Sequence, residues 1–150
     1  MRRVHVLIAL ASMLLAVVPA DAGAGPSADC RRPLGSSGRD KTPDGRYVVF
    51  SSSSPLVAGD TNGACDIFFL DRKTGRTELV SIASDGSHAQ TGLALFPEPN
   101  AAPDSIDPRI SNSGRYVTFL SAASDLVPDD TNLAWDRFVH DRKTGITRIR

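Results

Sequence analysis

One stretch of this chain occurs twice, and nothing constrains its fold more. The segment GRYVVF beginning at residue 45 returns as GRYVTF beginning at 114. LVAGDTNGACDIFFLDRKTGRT, beginning at 56, returns as LVPDDTNLAWDRFVHDRKTGIT, beginning at 126. The offset is 69 residues for the first block and 70 for the second, so one residue is inserted between Leu120 and Asp125. The copies agree at 5 of 6 positions over 45–50 and at 14 of 25 over 56–80, far beyond chance. Self-similarity at a fixed spacing marks a supersecondary unit used more than once, each copy leaning on its neighbour.

Within each copy the pattern predicts four short strands. The first spans 108–111 in the second copy, with a weaker counterpart at 39–42. Pro43-Asp44-Gly45 and Asn112-Ser113-Gly114 then supply the Gly and Asx residues of a tight hairpin turn. Strands over 46–51 and 115–120 follow, where Tyr, Val and Phe favour extended backbone. A third strand is read over 66–71 and 136–141, an Arg-Lys-Thr-Gly turn over 72–75 and 142–145, and a fourth strand over 76–81 and 146–150.

Sequence-adjacent antiparallel strands in fours describe a propeller blade, so the expected class is all-β: tandem four-stranded blades of an incomplete propeller, about two of them. A blade with two apolar faces cannot bury both alone, and stacking follows. Tyr47, Phe50, Phe68, Tyr116, Phe119 and Phe138 hold equal places in the two copies and are expected to form the packing between blades. The division expected along the chain is a leader over 1–22, a flexible N-terminal segment over 23–38, blade one over 39–81, a Ser/Gly/Pro-rich connection over 82–107 and blade two over 108–150.

The leader has basic Arg2 and Arg3, an apolar run from Val6 to Val18 and small residues at Ala20 and Ala22, the layout of a secretory signal peptide. The alternative, an uncleaved anchor, is weakened because the run falls short of the ~20 residues a membrane span needs. Secreted or periplasmic localisation is expected, with no membrane association after cleavage. Cys30 and Cys65 are the only cysteines; in an oxidising compartment they could form a disulfide worth ~3 kcal/mol, the alternative being two free thiols. With 17 basic and 17 acidic residues the net charge is zero, which gives no electrostatic drive toward nucleic acid.

The repeat resembles the WD40-like, TolB-like type of β-propeller repeat found in exported bacterial proteins. The resemblance is carried by Ile110, Ser111, Gly114, Arg115, Tyr116, Val117 and Phe119, by Asp130 and Asn132, and by Asp136, Phe138, Asp141, Arg142, Thr144, Gly145 and Thr147, with Asp44 keeping the Asp-Gly turn in the first copy. It covers residues 40–150. Propellers of that kind close with more blades than this chain holds, which implies a fragment of a longer propeller or one part of an assembly.

The strongest site candidate is the loop holding Asp60, Asn62 and Asp66, repeated as Asp130, Asn132 and Asp136. Alternating oxygen ligands followed by a further carboxylate suit a hard cation such as Ca²⁺, and Gly63 allows a sharp turn. The competing reading is structural, with Asp60 and Asn62 in Asx turns and Asp66 opening a strand. Asp71-Arg72 and Asp141-Arg142 suggest a local ion pair or turn cap rather than catalysis. His5, His88 and His140 are too scattered for a zinc site, no Gly-x-Ser-x-Gly elbow is present, and Ser87-His88 sits in the connection.

No cofactor other than calcium is therefore expected, and no enzyme. The function expected is a protein-binding or scaffold module with a protein or peptide partner and no nucleic acid, prone to self-association through exposed blade edges. The alternatives are the propeller part of an exported serine peptidase-type hydrolase, or a calcium-stabilised surface module.

Overall fold

A computed structural model describes residues 30, 38–89, 104–132 and 134–150. The expected leader with its cleavage site and most of the segment before residue 38 lie outside them, as does the middle of the connection between the repeats.

The described residues form two four-stranded antiparallel sheets, each with its strands in sequence order. Sheet one holds β1 (Arg39–Lys41), β2 (Tyr47–Ser52), β3 (Asp66–Asp71) and β4 (Arg76–Leu79); sheet two holds β5 (Ser105–Ile110), β6 (Tyr116–Ser121), β7 (Asp136–Asp141) and β8 (Ile146–Ile149). The architecture is all-β, as the strand pattern predicts. Registers of the inner pairs match between the copies: Tyr47 faces Asp71 and Phe50 faces Phe68, just as Tyr116 faces Asp141 and Phe119 faces Phe138. The turns close at Gly45, Gly75, Gly114 and Gly145, all at positive φ near 70°, a region glycine enters without a Cβ penalty.

The first strands differ. In sheet two the strand begins at Ser105, earlier than the predicted 108, and its register shifts between Ile106 and Arg109. Asp107 takes φ 52° at this bulge, and its carboxylate meets Arg109 at 3.0 Å and Arg137 at 2.9 Å. The two guanidinium partners hold a non-glycine residue in a backbone region it seldom occupies. A sequence with Pro108 in it gives little sign of pairing before the proline, because proline cannot donate to a ladder.

The sheets stack in the same sense, so the face of sheet one that meets sheet two corresponds, residue for residue, to the face of sheet two that points away. Sheet one contributes Tyr47, Val49, Ile67, Phe69 and Val80; sheet two answers with the opposite set, Ile110, Val117, Phe119 and Phe138, joined by Ala123 and Leu126. Polar contacts seal the seam. Asp40 accepts from the Ile110 amide at 3.0 Å, Cys65 bonds Asp104 and Ser105 through its amide and carbonyl, and Arg142 reaches Glu78 at 2.9 Å while its guanidinium lies 3.1 Å from the Phe69 ring centroid.

This stacking corrects the expectation for the aromatics. Phe119, Phe138 and Tyr47 do pack between the sheets, but Phe50 and Phe68 form a separate cluster with Val48 on the other side of sheet one, against Leu56, Val57, Leu70 and Leu79. Tyr116 is 42% exposed. Equal positions in two stacked sheets point the same way, so a side chain that is interior in one copy is exterior in the other. Phe69 and Val49, which the repeat pattern does not single out, are core residues for the same reason.

The expected Asp-Arg neighbours also part company. Asp71 binds Arg46 through two bonds of 2.9 and 3.1 Å and caps the turn at the Lys73 amide; Asp141 does the same with Arg115 and Lys143. The Arg46 bonds hold the Asp71 carboxyl down at about 2. Turn capping holds and the local ion pair does not: the guanidinium that reaches Asp71 is that of Arg46, next to the Tyr47 that faces Asp71 across the ladder, and Arg115 beside Tyr116 reaches Asp141 in the same way.

Candidate functional site

Both candidate loops lie where β2 and β6 hand over to β3 and β7. In the first, Asn62 accepts from the Ala64 amide at 2.9 Å, an Asx turn, and its own amide donates to the Ala89 carbonyl at 3.2 Å. Gly63 carries the turn at φ 66°. Asp66 opens β3 with its side chain fully buried, Oδ1 accepting from Ser81 Oγ at 2.5 Å and Oδ2 without a hydrogen-bond partner. Burial pushes the Asp66 carboxyl up to about 6, opposed by Ser81 and the Asn62 amide and reinforced by Asp60. Asp60 is itself buried and pushed upward by desolvation, with His88 acting the other way.

The second loop repeats the arrangement in a looser setting. Asn132 accepts from the Ala134 amide at 2.9 Å. Asp130 is buried, its carboxyl pushed up first by desolvation and then by Asp136, and both Asp130 Oδ1 and Asp136 Oδ2 are buried without hydrogen-bond partners. Trp135, at the place of Cys65, is 37% exposed.

The structure thus brings Asp60, Asn62 and Asp66 together, and likewise Asp130 with Asp136 beside the Asn132 turn. Among the described residues no three His, Cys, Asp or Glu side chains gather as a metal cluster, so a cation in either loop would take its remaining ligands from asparagine or backbone oxygens. Sequence reasoning missed Ser81 and His88. Both arrive from the far end of β4, a neighbour that strand pairing creates and local spacing does not announce.

The first loop is also pinned covalently: Cys30 and Cys65 form a disulfide, which settles the alternative of two free thiols. His140, the third scattered histidine, is buried in the seam and not at a loop. Its Nδ1 meets Thr147 Oγ1 at 2.9 Å, and that hydroxyl donates to the Ile82 carbonyl at 2.6 Å.

A second feature is the outward face of sheet two. A shallow cavity of about 320 Å³ lies there, lined by Arg115, Tyr116, Val139, Asp141, Ile146 and Arg148 among others. The homologous face of sheet one is the one sheet two covers. Across the repeat, Val49, Ile67, Phe69, Glu78 and Val80 become Thr118, Arg137, Val139, Arg148 and Arg150. Tyr116 and Ile146 keep apolar surface exposed among these arginines.

No protein-family model matches the chain, and no curated protein does. Among solved structures, the chain is similar to a putative TolB from Agrobacterium tumefaciens, at 22% identity and a TM-score of 0.44, over 76% of this chain and 32% of that one. It is also similar to TolB from Acinetobacter baumannii, at 15% identity and a TM-score of 0.26, over 79% of this chain and 33% of that one. The chain spans about a third of the length of these structures.

Proposed function

We propose that this chain is a non-catalytic protein-binding or scaffold module working outside the cytoplasm, and that the outward face of sheet two is where an acidic polypeptide partner docks. The carrying observation is the exchange of side chains on that face. A surface covered in sheet one by Arg142 stacking on Phe69 and pairing with Glu78 keeps its tyrosine and a branched aliphatic centre in sheet two, while the acid at the pairing position becomes Arg148. Exposed tyrosine ringed by arginine is the composition of binding hot spots. The charge reversal selects a carboxylate where the internal seam uses a guanidinium.

A second copy of the chain fits this face poorly. Docked in the same sense, it would bring Arg72, the counterpart of Arg142, onto Arg148; docked face to face, it would set arginines against arginines. The disulfide supports an oxidising compartment.

The test is fluorescence anisotropy with two labelled peptides of equal aromatic content, one Glu-rich and one Lys-rich. The Glu-rich peptide is expected to bind, more weakly as salt rises, and Tyr116→Ala with Arg148→Glu should weaken it at least ~10-fold. Equal binding of the two peptides, or a variant that binds like the native chain, would overturn the reading; concentration-dependent sedimentation of the chain alone would put a second copy on this face instead.

A further inference from the structure

We infer that the two repeated loops are calcium sites, one ion each, held by Asp60, Asn62 and Asp66 in the first and by Asp130, Asn132 and Asp136 in the second.

What points to a ligand is the buried oxygen that nothing satisfies. Asp66 is wholly enclosed, and its Oδ2 has no hydrogen-bond partner even though Ser81 serves the other oxygen. Buried polar atoms are almost always paired, and an unpaired carboxylate oxygen is among the costliest exceptions. The same defect recurs in the second loop, at Asp130 Oδ1 and Asp136 Oδ2. One orphaned oxygen could be an accident of packing, but the orphans at Asp66 and Asp136, matched positions in the two copies, indicate a shared requirement.

A cation meets that requirement. Each loop holds two aspartates around an asparagine turn, the first with Asp66 wholly enclosed and the second with an unpartnered buried oxygen on both carboxylates, and a divalent ion would take those oxygens as ligands. Oxygen-only ligands and a glycine-bearing turn favour Ca²⁺ over softer metals, whose preferred thiolate and imidazole ligands the loops do not offer in number.

The two sites differ in rigidity. Loop one is tied down by the Cys30–Cys65 disulfide, by the Asn62 bond to Ala89 and by the Cys65 bonds to Asp104 and Ser105. Loop two has the half-exposed Trp135 in place of the cysteine. Preorganised ligands lose less freedom on binding, so the first site should be the tighter.

The experiment is calorimetric titration of the purified full chain with CaCl₂, joined to terbium luminescence. Two ions per chain are expected, falling to one in Asp60→Asn/Asp66→Asn and to one in Asp130→Asn/Asp136→Asn. Trp135 adjoins Asp136 and is the only tryptophan, so its excitation should sensitise Tb³⁺ bound in loop two. That emission should be displaced by Ca²⁺, lost in Asp130→Asn/Asp136→Asn and kept in the loop-one variant. The luminescence of the native chain needs no variant to fold. Absence of both heat and sensitised emission in the native chain, or two ions retained in either double variant, would overturn the assignment.

Discussion

The two sheets share turns, register and ion pairs, yet they are in different positions energetically. Sheet one has both faces occupied: one by sheet two, the other by its own loop residues Leu56 and Val57 over Val48, Phe50 and Phe68. Sheet two has one face buried in the seam and one turned outward, with Tyr116, Ile146 and the arginines on it. The comparison teaches that a repeat fixes geometry and leaves burial to stacking. A residue's cost of removal is set by which side of the seam it is on, and the matched pairs of the repeat allow each cost to be read against an internal control.

The largest contrast is between Phe119 and Phe50. Phe119 is fully enclosed between the sheets and stacks on Phe138 at 5.7 Å between centroids; Phe50 is packed in the smaller outer cluster. Phe119→Ala should cost about 3–5 kcal/mol of unfolding free energy in a denaturant titration, and Phe50→Ala clearly less. Equal costs would mean that the outer cluster is as tightly closed as the seam, and the distinction between the faces would fail.

Next comes a pair of glycines. Gly45 and Gly114 close the same turn at nearly the same φ, so alanine meets the same backbone strain of roughly 1–2 kcal/mol at each. A Cβ at Gly45 meets open space, whereas at Gly114 it runs into the Tyr47 ring from the other sheet. Gly114→Ala should therefore lower the melting temperature further than Gly45→Ala. Truncating Tyr47 to Ala should remove most of the difference, since the ring is the obstacle.

These contrasts also show what was legible in the sequence. The strand count, the third strands to the residue and the hairpin turns followed from alternation and turn chemistry. The facing of each aromatic did not: Phe68 and Phe69 are adjacent letters on opposite sides of a sheet, and only the stacking sense says which one meets sheet two. The candidate loops were legible as a spacing of Asp and Asn. Their orphaned oxygens were not, because Ser81 and His88 come from beyond β4. The exchange of Glu78 for Arg148 was visible in the alignment of the two copies and acquired meaning once the face it sits on was known.

A smaller effect is expected where two arginines part. Arg142 spans the seam to Glu78, donates to the Gly114 carbonyl at 2.7 Å and lies over Phe69; its counterpart Arg72 is exposed. Arg142→Ala should cost about 1–2 kcal/mol, from lost charge-assisted bonds and lost cover over the ring, while Arg72→Ala stays within roughly 0.5 kcal/mol of the native chain. A double-mutant cycle with Glu78→Gln would apportion the seam's ionic part.

The least perturbing test uses pH. His140 stands where sheet one has Leu70, and burial, followed by the Arg142 charge, holds its pKa below the ordinary 6.5, with Asp141 and Glu78 pulling the other way. The Thr147 hydroxyl donates to the Ile82 carbonyl, so Nδ1–H is the donor in the contact with Thr147, and it is burial that favours the neutral ring. A group whose folded pKa is depressed leaves stability intact above its unfolded value. As the pH falls below 6.5 the unfolded chain takes the proton first, and folding stability declines until the folded ring is protonated too. Unfolding free energies of the native chain and of His140→Leu, measured between pH 7.5 and 5 and subtracted, isolate this contribution from the carboxylates common to both. The native chain should lose stability relative to the variant across that window. A flat difference would mean that the ring is protonated as readily in the fold as in the open chain, and that the seam at β7 is wetter than its sheet-one counterpart.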